Sequence, residues 1–279
     1  MRLRRAATRP KRALFHDGHA RACQSPVRLK ERKMTTETQG TTIDPAEVAR
    51  FEKIARTWWD AKGPMKTLHK FNPVRLAYIR DQVADHWNRD ARDGNTLAGL
   101  SLVDVGCGGG LLCEPLARLG ATVTGIDPAP TNVEVAKLHS AESGVPVTYR
   151  QATIEQLVAE GQSFDIVLAM EVVEHVADVE EFVRACTAAV KPGGLLFMAT
   201  LNRTMKAFAL AIVGAEYILG WLPKGTHQWD KFVTPKELSD AIARGGLDVF
   251  DEKGVVYNPL SDKWAISRDR DVNYMVVAK

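Results

Sequence analysis

Cysteine is scarce in this chain, and the four present, Cys23, Cys107, Cys113 and Cys186, form no C-x-x-C pair and sit near no histidine set. That spacing excludes a zinc-ribbon site or a disulfide framework and leaves free thiols of a reducing compartment. Uninterrupted apolar runs are equally short. None approaches the roughly 20 residues that span a bilayer, and the N-terminal stretch lacks the apolar core of a secretory signal. Basic residues are concentrated at one end. Residues 1–33 hold eleven Arg and Lys against Asp17 and Glu31, so the whole-chain charge of +3 leaves the remainder at −6. An acidic body without a basic, aromatic-interleaved stripe excludes a nucleic-acid partner.

That leader cannot bury enough apolar surface to offset the entropy of ordering, and it reads as disordered. Its Arg-rich, acid-poor composition is that of a mitochondrial transit peptide, but Ser25 is its only serine. The alternative is translation from Met34. The two readings place the protein on the mitochondrial matrix face or in a bacterial cytoplasm, peripheral at the inner membrane.

The body, 34–279, is expected to form a single α/β domain. Asp44-Pro45 can cap and open a helix that carries Phe51, Ile54, Ala55, Trp58 and Trp59, and a second helix is placed after Asn72-Pro73 with Leu76, Ile79 and Val83 on one side. Strand-length apolar runs follow at Leu100–Val105, Ala121–Ile126, Val145–Tyr149, Phe164–Ala169 and Leu195–Thr200, with helix-length segments between them. Runs without polar alternation suit parallel strands covered on both faces. Leu247–Glu252 and Asp271–Ala278 predict an antiparallel hairpin at one edge. The expected fold is a Rossmann-like, doubly wound, seven-stranded sheet, mostly parallel with an antiparallel C-terminal strand. Its parts are N-terminal helices over 45–93, a core over 98–202, an inserted lid over 203–232 and a C-terminal helix and hairpin over 233–279.

The stretch Val103-Asp104-Val105-Gly106-Cys107-Gly108-Gly109-Gly110 falls where the first strand hands over to a helix. Glycines there let the backbone turn sharply and approach a ligand at a distance that a Cβ would block. The spacing G-x-G-x-G differs from the G-x-G-x-x-G of dinucleotide sites, and Asp104 stands where those sites carry an apolar residue. Both features disfavour an NAD-dependent dehydrogenase. A carboxylate at the strand end suits a cationic ligand such as an aminoacyl sulfonium. Asp127, closing the second strand about 20 residues after the first glycine, matches the acid that binds ribose hydroxyls, with a plain helix cap as its other reading.

Together these residues resemble the class I S-adenosylmethionine-dependent methyltransferases. In that family the residue ending the fourth strand, here Met170, packs near the cofactor. Gln151, Ala152 and Ile154 match the adenine-edge segment, with Thr153 where an acid often stands. A narrower resemblance rests on Phe51 to Trp59, Leu68 to Leu76, Glu171 to Val176, Val190 to Gly194, Thr200 to Arg203, Val213 to Ile218, Pro223 to His227 and Asp271 to Met275. From about Ile43 to the C-terminus the chain is similar to the UbiG-type O-methyltransferases of ubiquinone biosynthesis. The resemblance implies methylation of phenolic hydroxyls on polyprenylated phenols and catechols, in possible company with other enzymes of that pathway. It also implies that Arg75, Gly106, Asp127 and Met170 contact S-adenosylmethionine. Arg75 makes independent sense as a planar, charge-assisted donor to a carboxylate. The other readings are an O-methyltransferase for another small phenol and a non-catalytic cofactor- or lipid-binding module.

A phenol titrates near pH 10, so its proton must be removed for transfer at neutral pH. Glu171, Glu174 and His175 follow the fourth strand at i, i+3 and i+4, the spacing of one helical face. His175 can act as a general base. Alternatively, the three side chains hold a divalent cation, and the resemblance implies magnesium. The plain alternative is that the two acids only complement a helix dipole. Finally, Lys206 to Leu222 is mostly apolar, with Phe208, Ile212, Tyr217 and Trp221. It reads as a lid, or as a membrane-contact helix over 206–224 with Lys206, Lys224 and Lys231 near anionic lipid.

Overall fold

The computed structural model describes residues 42–209 and 229–279. The basic leader and most of the 206–224 segment lie outside the described residues.

Asp44 caps helix α1 (Pro45–Ile54) by accepting from the Ala46 amide at 3.0 Å, with Pro45 in the first turn where its missing N–H costs nothing. A short 3₁₀ turn, Ala55–Thr57, carries the chain to Trp58 and Trp59. Helix α2 runs Lys66–His86, so it begins seven residues before Pro73 rather than after it, and Pro73 lies inside it. An internal proline costs about 3 kcal/mol. Burial of Phe71, Tyr78, Ile79 and Val83 along the same helix offsets it, at about 1.5–3 kcal/mol for each large side chain.

The core alternates strand and helix: β1 (Ser101–Val105), α3 (Cys113–Arg118), β2 (Thr122–Asp127), α4 (Pro130–Ser143), β3 (Thr148–Gln151), α5 (Ile154–Ala159), β4 (Phe164–Met170), α6 (Val179–Ala188) and β5 (Val190–Leu201). There follow a one-turn helix α7 (Met205–Ala207), then α8 (Pro235–Arg244), β6 (Val249–Asn258), β7 (Lys263–Ser267) and β8 (Asn273–Ala278). The sheet order is β3-β2-β1-β4-β5-β8-β6-β7. Strands β1 to β5 are parallel, and β8 runs antiparallel between β5 and β6.

The expected fold class holds, with one correction: the described residues form an eight-stranded sheet. The extra strand, β7, makes the edge hairpin with β6, and β8 lies inside the sheet. Lys263–Ser267 is short and charge-flanked, and it becomes a strand because it completes the open ladder of β6.

Alternation along the strands divides the core. Leu102, Ile166, Leu168 and Phe197 pack with Ile79, Val83, Leu116 and Val133 on one face. Val103, Val105, Val167 and Leu196 pack with Leu157, Phe182, Val183, Leu238 and Ile242 on the other. The chain winds outward from β1 to β3 and then resumes at β4 on the other side of β1, so the crevice at the C-terminal ends of β1 and β4 is the topological switch point. Among the described residues no helix is long and apolar enough to cross a membrane.

Candidate functional site

The switch point opens into a cavity of about 880 Å³, toward the upper end of the ~300–1,000 Å³ of small-molecule sites. Asp104, Gly106, Gly108, Asp127, Met170, Glu171, Glu174, His175 and Arg75 all line it, so every sequence-predicted site residue comes to one place.

The glycine loop follows β1. Gly106 has φ of +69°, and a Cβ there would lie 2.7 Å from a Val172 methyl. Gly108 has φ of +52° and lies under the Trp58 indole. An alanine at 106 would pay both strain and overlap, each a matter of ~1–3 kcal/mol. Gly106→Ala is therefore expected to lower the melting temperature by several degrees and weaken cofactor binding at least tenfold, measured by thermal unfolding with and without cofactor.

Asp127, at the end of β2, is buried, and its two oxygens are organised from three sides. Oδ2 accepts from the Gly108 amide at 3.0 Å, and Oδ1 accepts from the Ala129 amide at 2.8 Å and from Asn132 Nδ2 at 3.2 Å. Asn132 Oδ1 in turn accepts from Trp58 Nε1 at 2.9 Å. The carboxylate thus ties loop, α4 and N-terminal segment together as well as facing the cavity. Burial raises its pKa, and the amide donors only partly oppose that. The sequence places Trp58 only on the first helix and does not single out Asn132, because only the folded chain brings them to Asp127.

Asp104 points to the buried side of β1. It accepts from Cys113 Sγ at 3.2 Å, and desolvation pushes its pKa up to about 7 against the Cys113 hydrogen bond and the Arg75 charge. Arg75 reaches across from α2, 3% exposed, and donates through Nη2 to Glu171 Oε1 at 2.7 Å. Its Nε is buried without a partner, a donor left over for a second acceptor.

Glu171, Glu174 and His175 do not share a helical face. Glu171 adopts φ of +60°, which stops a helix from starting there, and only Val173–His175 makes a single 3₁₀ turn. His175 turns away, its Nδ1 meeting Glu47 Oε2 at 2.9 Å, whereas the Glu171 and Glu174 carboxyls stay adjacent while also engaging Arg75 and, at 2.9 Å, Thr200 Oγ1. Among the described residues no group of three His, Cys, Asp or Glu converges as a cation would require. The donor set expected for magnesium does not fit one.

Glu174 is 3% exposed and its Oε1 has no partner. Burial, then the adjacent Glu171 charge, hold its pKa well above the ordinary carboxyl range and favour the neutral acid. A carboxyl whose folded pKa is raised costs nothing below its unfolded pKa and destabilises progressively as pH rises above it. Glu174→Gln keeps the shape and is expected to raise the melting temperature at pH 8, with the gain vanishing as pH falls to 4. Thermal unfolding across that range checks it. Each pKa unit removed is worth ~1.4 kcal/mol, or about 3–6 °C.

The most informative contact is one that sequence spacing did not show. Glu47, buried on the inner side of α1, faces His175 from 128 residues away. Burial acts to raise the Glu47 pKa, but the hydrogen bond and charge of His175, with Arg50 and Lys231, outweigh it and hold the group below its ordinary value. Arg50 also pairs directly with Glu47, and the Phe51 ring meets the imidazole edge-on at 5.2 Å. As an acceptor, Glu47 favours the tautomer with its proton on Nδ1 and Nε2 basic, with Arg50 Nη2 3.4 Å from the same Nδ1.

A parallel sheet with this glycine loop at its switch point, an acid closing the second strand and an arginine with a spare donor defines a class I S-adenosylmethionine-dependent methyltransferase. Residues 103–198 match the family described as a methyltransferase domain. The fold is that of magnesium protoporphyrin IX methyltransferase from Synechocystis PCC 6803 with bound S-adenosylmethionine, at 17% identity over 86% of this chain and 98% of that one, with a TM-score of 0.54. A methyltransferase from Thermotoga maritima gives 0.53 at 19% identity, over 84% of this chain and 99% of that one. More narrowly, the chain belongs to the ubiquinone biosynthesis O-methyltransferases. It is 66% identical to the Methylobacterium nodulans member over 88% of this chain and 98% of that protein, and 58% identical to the Brucella anthropi member over the same shares.

Proposed function

We propose that this enzyme transfers a methyl group from S-adenosylmethionine to a phenolic oxygen of a polyprenylated catechol or phenol, with His175 as general base. The observation that carries this reading is the single cavity lined both by the Gly106–Asp127 constellation and by the Glu47–His175 pair.

The cofactor supplies an electrophilic methyl on a sulfonium. Gly106 and Gly108 give it close backbone approach, and Asp127 offers its carboxylate to the ribose hydroxyls. Ala152, Thr153 and Ile154 border the adenine end, where Thr153 also caps α5 by accepting from the Gln156 amide. Arg75, which lines the cavity beside Glu171, offers its guanidinium to the carboxylate of the methionyl part. Asp104, once ionised, complements the cationic end. His175 takes the acceptor's proton through Nε2, while Glu47 holds the ring and stabilises the imidazolium that forms. No step is routed through a divalent cation.

Ionisation of Asp104 near pH 7 gives the cofactor site a pH dependence. The neutral acid below that pH offers no attraction to a sulfonium, so affinity rises with pH through about 7, at most about tenfold per unit for one linked proton. Calorimetry from pH 6 to 8 checks it, and in Asp104→Asn the profile is expected to be weak and flat. NAD, titrated in parallel, is expected not to bind.

The acceptor's tail places the enzyme at a bilayer surface. Support comes from both flanks of the 210–228 segment, which lies outside the described residues: Met205 at 72% exposure, Phe208 and Trp229 present apolar surface to solvent there. Flotation on anionic liposomes tests this contact. Replacing Met205, Phe208 and Trp229 by Gln is expected to reduce binding severalfold, and unchanged binding would remove it.

A further inference from the structure

Past Arg75 the cavity continues into a second lobe, away from the glycine loop. One wall is α2, where the Phe71 ring carries the Arg75 guanidinium at 4.0 Å. The β6–β7 hairpin packs against α2 and continues that wall. There Trp264 lies 5.1 Å from Phe71 with a 38° tilt, Tyr257 lies 5.2 Å from Trp264, and Val255 closes the sheet side. Lys70 on α2 grips Asp262 in the hairpin turn at 2.6 Å, and Asp262 also accepts from the Tyr257 hydroxyl at 2.6 Å, so the hairpin is tied to α2.

One side-chain amide lining the cavity is left without a partner. Asn72 is 7% exposed and lines the cavity. The other buried asparagines are all engaged: Asn132 with Trp58 and Asp127, Asn202 with the Arg270 carbonyl, and Asn273 with the Val255 amide. Among the described residues the Asn72 side chain has no hydrogen-bond partner, and its amide is not sealed off from the cavity. Buried polar groups are otherwise hydrogen-bonded, because leaving one unpaired is costly. An amide carries both donors and an acceptor, the complement of a hydroxyl or phenolate on an aromatic ring.

We infer that Asn72 binds the ring oxygen adjacent to the one being methylated, with the packed Phe71–Trp264 pair forming one aromatic wall beside the acceptor ring. The inference rests on the phenolic-acceptor reading above and assigns catechol specificity to one residue. An acceptor that lacks the second oxygen covers the amide without offering it a partner, so the site discriminates against the simple phenol. A site built to hydrogen-bond a substrate hydroxyl rejects the analogue lacking it far more strongly than an apolar pocket does.

The test is steady-state kinetics of wild type, Asn72→Leu and Trp264→Ala, with a short-chain prenylated catechol and the matching phenol that lacks the second hydroxyl. Cofactor affinity is measured alongside. Wild type is expected to favour the catechol in kcat/KM. Asn72→Leu is expected to lose that preference, with catechol kcat/KM down about 10–100-fold and cofactor affinity unchanged. Trp264→Ala is expected to weaken both acceptors alike. Should Asn72→Leu lose cofactor binding through misfolding, Asn72→Ala, which removes the amide without adding bulk, is read in its place. A folded Asn72 variant that keeps the wild-type preference overturns the inference and leaves the phenolic reading standing. Wild type that binds the cofactor but methylates neither acceptor overturns both.

Discussion

His175→Ala is expected to lower kcat by about 10²–10⁴-fold while leaving the dissociation constant for S-adenosylmethionine within twofold of wild type. The imidazole lines the cavity from the 3₁₀ turn after β4, and none of the hydrogen bonds that organise Asp127 runs through it. Its loss removes a proton acceptor and leaves the cofactor's partners in place. Glu47→Gln separates orientation from basicity. The amide preserves shape and can still meet Nδ1, but its neutral charge no longer stabilises the imidazolium. A loss of about 10–100-fold in kcat is expected there, smaller than for His175→Ala. The two losses should not multiply in the double variant, because Glu47 acts through His175. Rapid-quench single turnovers measure the methyl-transfer step itself and distinguish this from slowed product release. Equal cofactor weakening in both variants would mean that the pair shapes the site and takes no part in proton removal.

The second large effect is at Asp127. Asp127→Ala is expected to weaken S-adenosylmethionine by at least about 100-fold, since hydrogen bonds to a charged acceptor are worth ~1.5–3 kcal/mol each and two ribose hydroxyls are involved. Three donors within the protein also lose their acceptor: the Gly108 and Ala129 amides and Asn132. The melting temperature should therefore fall as well. Asp127→Asn separates the two contributions. One amide oxygen can still accept from Ala129, but the amide nitrogen faces the Gly108 N–H and repels it, so the loop relaxes even where the fold survives. Calorimetric affinity for each variant, beside its unfolding transition, checks both statements.

The cofactor half of this site was legible in the sequence because its demands are local. A glycine at φ of +69° leaves a mark in the chain itself, and an acid at the end of the next parallel strand falls at a fixed distance from it. Sheet order then carried Asp104, Asp127 and Met170 to one crevice. The catalytic half was legible only in part. Glu171, Glu174 and His175 have helical spacing, but spacing holds only where the backbone is helical, and the left-handed Glu171 sends the three side chains to Arg75, Thr200 and Glu47. Glu47 lies on an ordinary amphipathic helix, where nothing marks it as the partner of a histidine 128 residues on. Pro73 misplaced the start of α2 for a similar reason: the rule that proline opens a helix is local, whereas packing of Phe71, Tyr78 and Ile79 decides where this one begins. Leu247–Glu252 marked β6, but β7 went unpredicted because five residues with charged flanks carry too little pattern to announce a strand.

The central claim is that one cavity brings a sulfonium methyl and a phenolic oxygen together. The most direct measurement is mass and NMR analysis of the product formed by wild type and His175→Ala from isotope-labelled S-adenosylmethionine and a prenylated catechol. The account predicts one labelled methyl on a ring oxygen, formed by wild type and nearly absent with His175→Ala. Label on ring carbon, or label on oxygen at the same rate in both proteins, would contradict it.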